Sequence, residues 1–101
     1  MNATIWIHYA RPRPHWYGLG PEQQAEHKAA WREVAQASAA KGAEPLGAYH
    51  VRGQHDYETV EVWRFPSPEA AFEHWAGLTA RAYGEWFAFA NNVGLSAEVL
   101  P

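Results

Sequence analysis

The stretch Thr4-Ile5-Trp6-Ile7-His8-Tyr9, TIWIHY, decides how the chain folds. It reads as a β-strand, and successive strand side chains alternate between faces. Ile5, Ile7 and Tyr9 therefore point one way, and Thr4, Trp6 and His8 the other. Neither set suits water. A strand with one wet face would carry Lys, Glu or Thr there. Both faces of this strand must be covered, and one cover must accommodate an imidazole.

Outward from this strand, the pattern of the chain supplies candidate covers. ARPRPHWYGLG (residues 10 to 20) reads as a loop because of its prolines and glycines, with the aromatic tip His15-Trp16-Tyr17. Pro21 and Glu22 open a helix running to about Lys41, with Ala30, Trp31, Val34, Ala35 and Ala37 as its apolar stripe and Gly42 as its stop. Pro45 to Arg52 and Tyr57 to Phe65 read as second and third strands, joined through Gly53-Gln54-His55-Asp56. Ser67-Pro68-Glu69 is an N-cap followed by a proline at the first helical position. The helix it starts is expected to bury Phe72, Trp75, Ala76 and Thr79. YGEWFAFANN (83 to 92) reads as short helical or irregular, and Leu95 to Leu100 as the last strand.

Composition narrows the function classes. The 101 residues suffice for one domain, 1 to 101. With no cysteine, disulfides, thiolate nucleophiles and Cys-bound metal centres are excluded. No apolar run is long enough for a membrane span and no signal peptide is legible, so a cytoplasmic location without membrane partners is expected. A net charge of −3 with only eight scattered Lys and Arg argues against nucleic acid. Six Trp, five Tyr and four Phe exceed what so small a core can easily hide, which points to a pocket, a subunit interface, or both.

The element order β-α-β-β-α-β is that of the ferredoxin-like α+β arrangement, a four-stranded antiparallel sheet with two helices on one face. The other face is left bare. The third strand, YETVEVWRF, again carries bulky apolar groups on both sides. A second copy of the chain, as a symmetric homodimer, is the simplest cover for the bare face.

The segment Val62 to Trp75, VWRFPSPEAAFEHW, has a strand ending in Trp, a Ser/Pro/Glu helix start and a Phe-x-x-Trp pair. With WYGLGPEQQ (16 to 24) and YGEWFAFANNVG (83 to 94), it resembles the dimeric α+β barrel superfamily of antibiotic-biosynthesis monooxygenases, haem-degrading monooxygenases, polyketide cyclases and stress-responsive barrel proteins. The resemblance spans nearly the whole chain and is more specific for fold than for chemistry. It implies a cofactor-independent enzyme, monooxygenase- or cyclase-like, acting on an aromatic or polyketide-like substrate. The alternative is a non-catalytic ligand-binding or stress-responsive barrel.

In such a sheet the first and third strands are expected to lie side by side and parallel, so that Trp6 and His8 share a face with Glu61 and Trp63. His8 and Glu61 are then the acid–base candidates, a carboxylate being able to fix a histidine's tautomer and raise its pKa. Trp6, His50, Trp63, Tyr83, Trp86 and Asn91 are candidate pocket residues, with Trp16 as a lid. The haem-degrading relatives place an axial His about ten residues beyond the Trp of the Phe-x-x-Trp pair, where this chain has Glu85-Trp86, so no haem is expected. His50 and His55 lack a recognisable ligand spacing, and no metal is expected. His15, His27 and His74 are expected on a loop or on helix flanks. Ser38, Ser67 and Ser96 fit helix, cap and strand roles.

Overall fold

A computed structural model describes residues 3–96. The elements are β1 (Thr4–Pro12), a short 3-10 helix (Pro14–Gly18), α1 (Pro21–Ala40), β2 (Glu44–His50), β3 (Thr59–Phe65), α2 (Pro68–Ala80), α3 (Tyr83–Trp86) and β4 (Phe87–Leu95). The strands form one antiparallel sheet in the order β2-β3-β1-β4, the ferredoxin-like α+β fold.

β1 and β3 are neighbours at the centre, as expected, but they run antiparallel, not parallel. The connectivity requires it. The crossover through α1 returns the chain so that β2 runs with β1, and the β2–β3 connection then reverses it. The register still sets Trp6 opposite Trp63 and His8 opposite Glu61. On its other side, His8 faces Asn91 of β4.

Local chemistry explains most element ends. Pro21 begins α1, and the Gln23 side chain accepts a hydrogen bond from the Gly20 N–H at 3.2 Å. Gly42 ends the turn after α1 at φ +101°, a conformation that glycine adopts without a Cβ clash. Ser67 caps α2, its hydroxyl accepting from the Ala70 N–H at 3.1 Å. β2 carries a register shift at Pro45/Gly47, and the Tyr49 ring lies where a Cβ on Gly47 would sit.

Two boundaries differ from the sequence reading by more than two residues. β1 continues through Pro12, because Arg11 and Pro12 still find partners in Ala88 and Phe87 of β4. The last strand begins at Phe87 rather than Leu95. Phe-Ala-Phe-Ala (87 to 90) has the two-residue period of a strand, which its flanking aromatics concealed. Of the expected strand 95 to 100, Leu95 closes β4 and residues 97 to 100 lie outside the described ones.

The helix face of α2 is also one residue out of phase with expectation. Ala71, His74 and Leu78 are buried, whereas Phe72, Ala76 and Thr79 are exposed, Phe72 by 63%. Trp75 is half-buried and belongs to both phases. The true stripe puts a histidine in the core, so His74 is not on a flank.

The helices cover the sheet face that carries Thr4, Trp6, His8 and Ala10, and these are buried. The opposite face, with Ile5, Ile7, Tyr9, Val60 and Val62, is only half-buried. Trp31 fixes α1 to the end of α2, its indole donating to the Arg81 carbonyl at 2.9 Å. Trp16, Trp31, Tyr83 and Phe87 pack together at that end of the core.

Candidate functional site

Four elements converge on His8. β1 brings the imidazole inward at 1% exposure, stacked on Trp6 at 4.8 Å between ring centroids. β4 brings Asn91 opposite it, and Oδ1 of Asn91 lies 2.6 Å from Nδ1. Because that oxygen only accepts, Nδ1 carries the proton and the lone pair is at Nε2. α3 brings Tyr83, whose hydroxyl donates to that lone pair at 2.7 Å. β3 brings Glu61, whose carboxylate accepts from the Trp63 indole N–H at 3.0 Å.

Burial governs the ionisation of this set. Desolvation lowers the His8 pKa, only partly opposed by the Asn91 hydrogen bond and the Glu61 charge. The Tyr83 pKa is raised by burial and then by the same carboxylate. The resting state is thus a neutral imidazole accepting from a neutral phenol. His74 is likewise held neutral, its pKa lowered to about 4 by burial and by His8.

A cavity of about 230 Å³ adjoins this network between α1 and the sheet, lined among others by Trp31, Arg32, Glu61, Trp63, His74 and Tyr83. His8 is not on its wall; Tyr83 and Glu61 are. The volume lies below the roughly 300–1,000 Å³ of common ligand pockets, so it suits one ring or a short acyl fragment.

The structure gathers five of the candidate residues, Trp6, His8, Glu61, Tyr83 and Asn91, into this network, and Trp63 into the cavity wall. His8 and Glu61 share a face without hydrogen-bonding each other; the partners of His8 are Asn91 and Tyr83. Trp16 is no lid. It is buried against Trp31, Trp86 and Phe87, because the 3-10 helix turns it inward. Trp86 packs with Trp16, His15 and His27, away from the cavity. His50 stands exposed on the edge strand β2. The sequence reading puts His74 on a flank and Ser38 in a helix role without pairing them; the structure sets them 2.6 Å apart across α1 and α2. The helical spacing of Ala71, His74 and Leu78 was the signal that could have found His74.

Among the described residues, no group of three or more His, Asp or Glu is placed to hold a metal ion. Nor do the residues around this cavity fit a haem, which needs a free axial side chain beside a wide apolar space. Both ring nitrogens of His8 are engaged, as is Nδ1 of His74, and the cavity is narrow. No described helix is long and apolar enough to cross a membrane.

No protein-family model matches the chain. No curated protein matches it either. Solved structures do match in fold. The chain is similar to a mutant chlorite dismutase from Candidatus Nitrospira defluvii, with TM-score 0.79 and 11% identity over 97% of this chain and 41% of that one. It is similar to the chlorite dismutase-like protein TA0507, with TM-score 0.68 and 19% identity over 91% and 43%. It is also similar to the VAO-type flavoprotein MtVAO713 from Myceliophthora thermophila C1, with TM-score 0.64 and 10% identity over 94% and 18%. The chain spans about two fifths of the two dismutase-type chains. At these identities the likeness shows the α+β fold, one that also occurs within enzymes.

Proposed function

We propose that the chain is a cofactor-independent acid–base enzyme of monooxygenase- or cyclase-like type, acting on a small aromatic or polyketide-like substrate, and that two copies pair through their open sheet faces. The observation that carries this reading is Tyr83, a residue of the cavity wall whose hydroxyl donates to a histidine whose tautomer Asn91 fixes. A substrate C–H or O–H acid in the cavity gives its proton to the Tyr83 oxygen as Tyr83 passes its own to His8 Nε2. The phenol is regenerated and the imidazolium is formed, offset by the Glu61 carboxylate. Lys28 and Arg32, which also line the cavity, offset the negative charge left on the substrate. A relay of this kind spares the buried site from holding a standing tyrosinate, which its raised pKa disfavours.

The pairing is supported by the aliphatic open face and by the larger chains that share this fold, which have length to spare for a second such unit. The test of the chemistry is deuterium uptake at the α-carbon of small aryl ketones, acetophenone first, with the purified protein and with Tyr83→Phe. Uptake above buffer that falls about 100-fold or more in Tyr83→Phe supports the relay. Uptake equal to buffer, with Trp fluorescence reporting that the ketone binds, would mean a non-catalytic ligand-binding barrel instead.

A further inference from the structure

A second cavity of about 230 Å³ lies in the groove between α1 and α2, with Ser38, Lys41, Glu73, His74 and Arg81 among its lining residues. It takes no part in the relay around His8. At its wall, Ser38 Oγ sits 2.6 Å from His74 Nδ1. The rest of the His74 ring is enclosed by Trp6, Trp63 and Phe65, with centroids 5.0, 5.0 and 5.2 Å away. Nothing in that aromatic enclosure competes for the Nδ1 lone pair. The ring is 4% exposed and cannot turn toward water without opening the core.

From this geometry we propose that Ser38 is a nucleophile, with His74 as its general base, for acyl transfer from a small uncharged ester. The arrangement has the parts that such a step needs: a hydroxyl at a cavity wall, a base within hydrogen-bond reach, and a fixed orientation for the base. The fixing is done by packed aromatic rings rather than by a carboxylate. In the step, Ser38 Oγ bonds to the carbonyl carbon while its proton moves to His74 Nδ1 and the carbonyl electron pair moves to oxygen. The tetrahedral species then expels the alkoxide, which takes the proton from Nδ1 and leaves as the alcohol. Water attacks the acyl-Ser38 ester by the same route, releasing the carboxylic acid and restoring the hydroxyl. Burial keeps the His74 imidazole neutral at rest, with its pKa at about 4, so the Nδ1 lone pair is available and the proton it takes is readily passed on to the leaving alkoxide. Arg81, which donates one N–H to the Gly77 carbonyl at 3.3 Å, supplies a guanidinium at the groove for the developing oxyanion.

The substrate class follows from the charge of the groove. Lys41 is paired with Glu73, and Glu33 also lines the groove with Arg81, so the groove carries two cations and two carboxylates. That balance favours a neutral ester over a polyanion, and the volume limits it to a short acyl group.

The chain contains its own controls. Ser67 and Ser96 are the other two serines, one capping α2 and the other bonded to Ala3. The full chain is treated with a small alkyl fluorophosphonate and each serine's labelling is followed by peptide mass mapping. Ser38 should label at least about 100-fold faster than Ser67 or Ser96, the scale of general-base assistance. Ser38→Ala should abolish both the label and any release of p-nitrophenol from p-nitrophenyl acetate. Absence of label, or labelling of all three serines alike, would overturn the proposal and leave Ser38–His74 as a packing hydrogen bond. The wild-type map decides even where a His74 variant fails to fold.

Discussion

The two faces of the sheet depart from the usual division of labour in opposite ways. The face covered by helices holds the polar groups Thr4 and His8 at 1% exposure, beside Trp6 at 2%. The face left open holds Ile5, Ile7, Val60 and Val62, all aliphatic and half-buried. A lone domain following the hydrophobic rule would reverse these. The covered face tolerates an imidazole because Asn91 and Tyr83 complete its hydrogen bonds, so the cost of burying it unpaired is not incurred. The open face encloses no polar group in this way; its aliphatic centre is bordered by the exposed Arg64–Glu44 ion pair.

The sharpest way to break this comparison is a charge on the open face. Ile7→Asp places a carboxylate in each copy of the proposed pair, with no partner for either. Association should weaken by at least about 4 kcal/mol, or roughly a thousandfold in Kd, with secondary structure retained. Sedimentation velocity alongside circular dichroism checks it. Unchanged sedimentation would mean that this face does not join two copies. On the covered face, Trp6→Ala should cost about 3–5 kcal/mol in a urea melt, the range for deleting a buried indole. It removes the ring on which His8 stacks and which His74 meets edge-on.

Acid should act on the covered face as well. His74 keeps a pKa of about 4 in the folded chain against an ordinary 6.5, and that of His8 is lowered too. Above pH 6.5 both states are neutral and stability is complete. As the pH falls from 6.5 toward 4, the unfolded chain takes up protons that the folded chain refuses, so stability declines. Below about 4 the His74 contribution levels off. The loss from His74 should be on the order of 2 kcal/mol after allowance for solvent screening. Denaturant melts at pH 7, 5.5 and 4.5 measure it, and a flat profile over that window would contradict a neutral, buried His74.

How much of this was legible in the residues differs between strands and helices. TIWIHY and TVEVWRF have a period of two, so the faces shared by Trp6, His8, Glu61 and Trp63 could be read without structure, and so could the need for two covers. Strand direction does not show in that alternation, which is why the sense of β1 against β3 was misread while the faces were not. The tyrosine that completes the imidazole's bonds lies 75 residues away, and no local pattern links them. Trp16 reads as free because Pro14 and Gly18 bracket its segment. The 3-10 helix those residues permit is what turns it inward.

The smallest expected effect tests the hardest reading. In AAFEHWAGL (70 to 78), Phe72 with Trp75 and Ala76 makes a helical stripe, and so does Ala71 with His74, Trp75 and Leu78. Hydrophobicity alone favours the first, because it buries a phenylalanine and exposes a histidine. The fold takes the second. The Ser38 hydroxyl on α1 and the enclosure of Trp6, Trp63 and Phe65 accept an imidazole, while Phe72 on the rejected phase stays 63% exposed. Phe72→Ser should therefore change stability by no more than about 0.5 kcal/mol, as an exposed substitution does, whereas Leu78→Ala on the buried phase should cost about 2–5 kcal/mol. Paired urea melts give both numbers. If Phe72→Ser costs as much as Leu78→Ala at every protein concentration, α2 packs in the phase that hydrophobicity favours, and His74 is on the surface. If its cost appears only at high concentration, Phe72 lies under a second copy, and the contact between chains extends beyond the open sheet face.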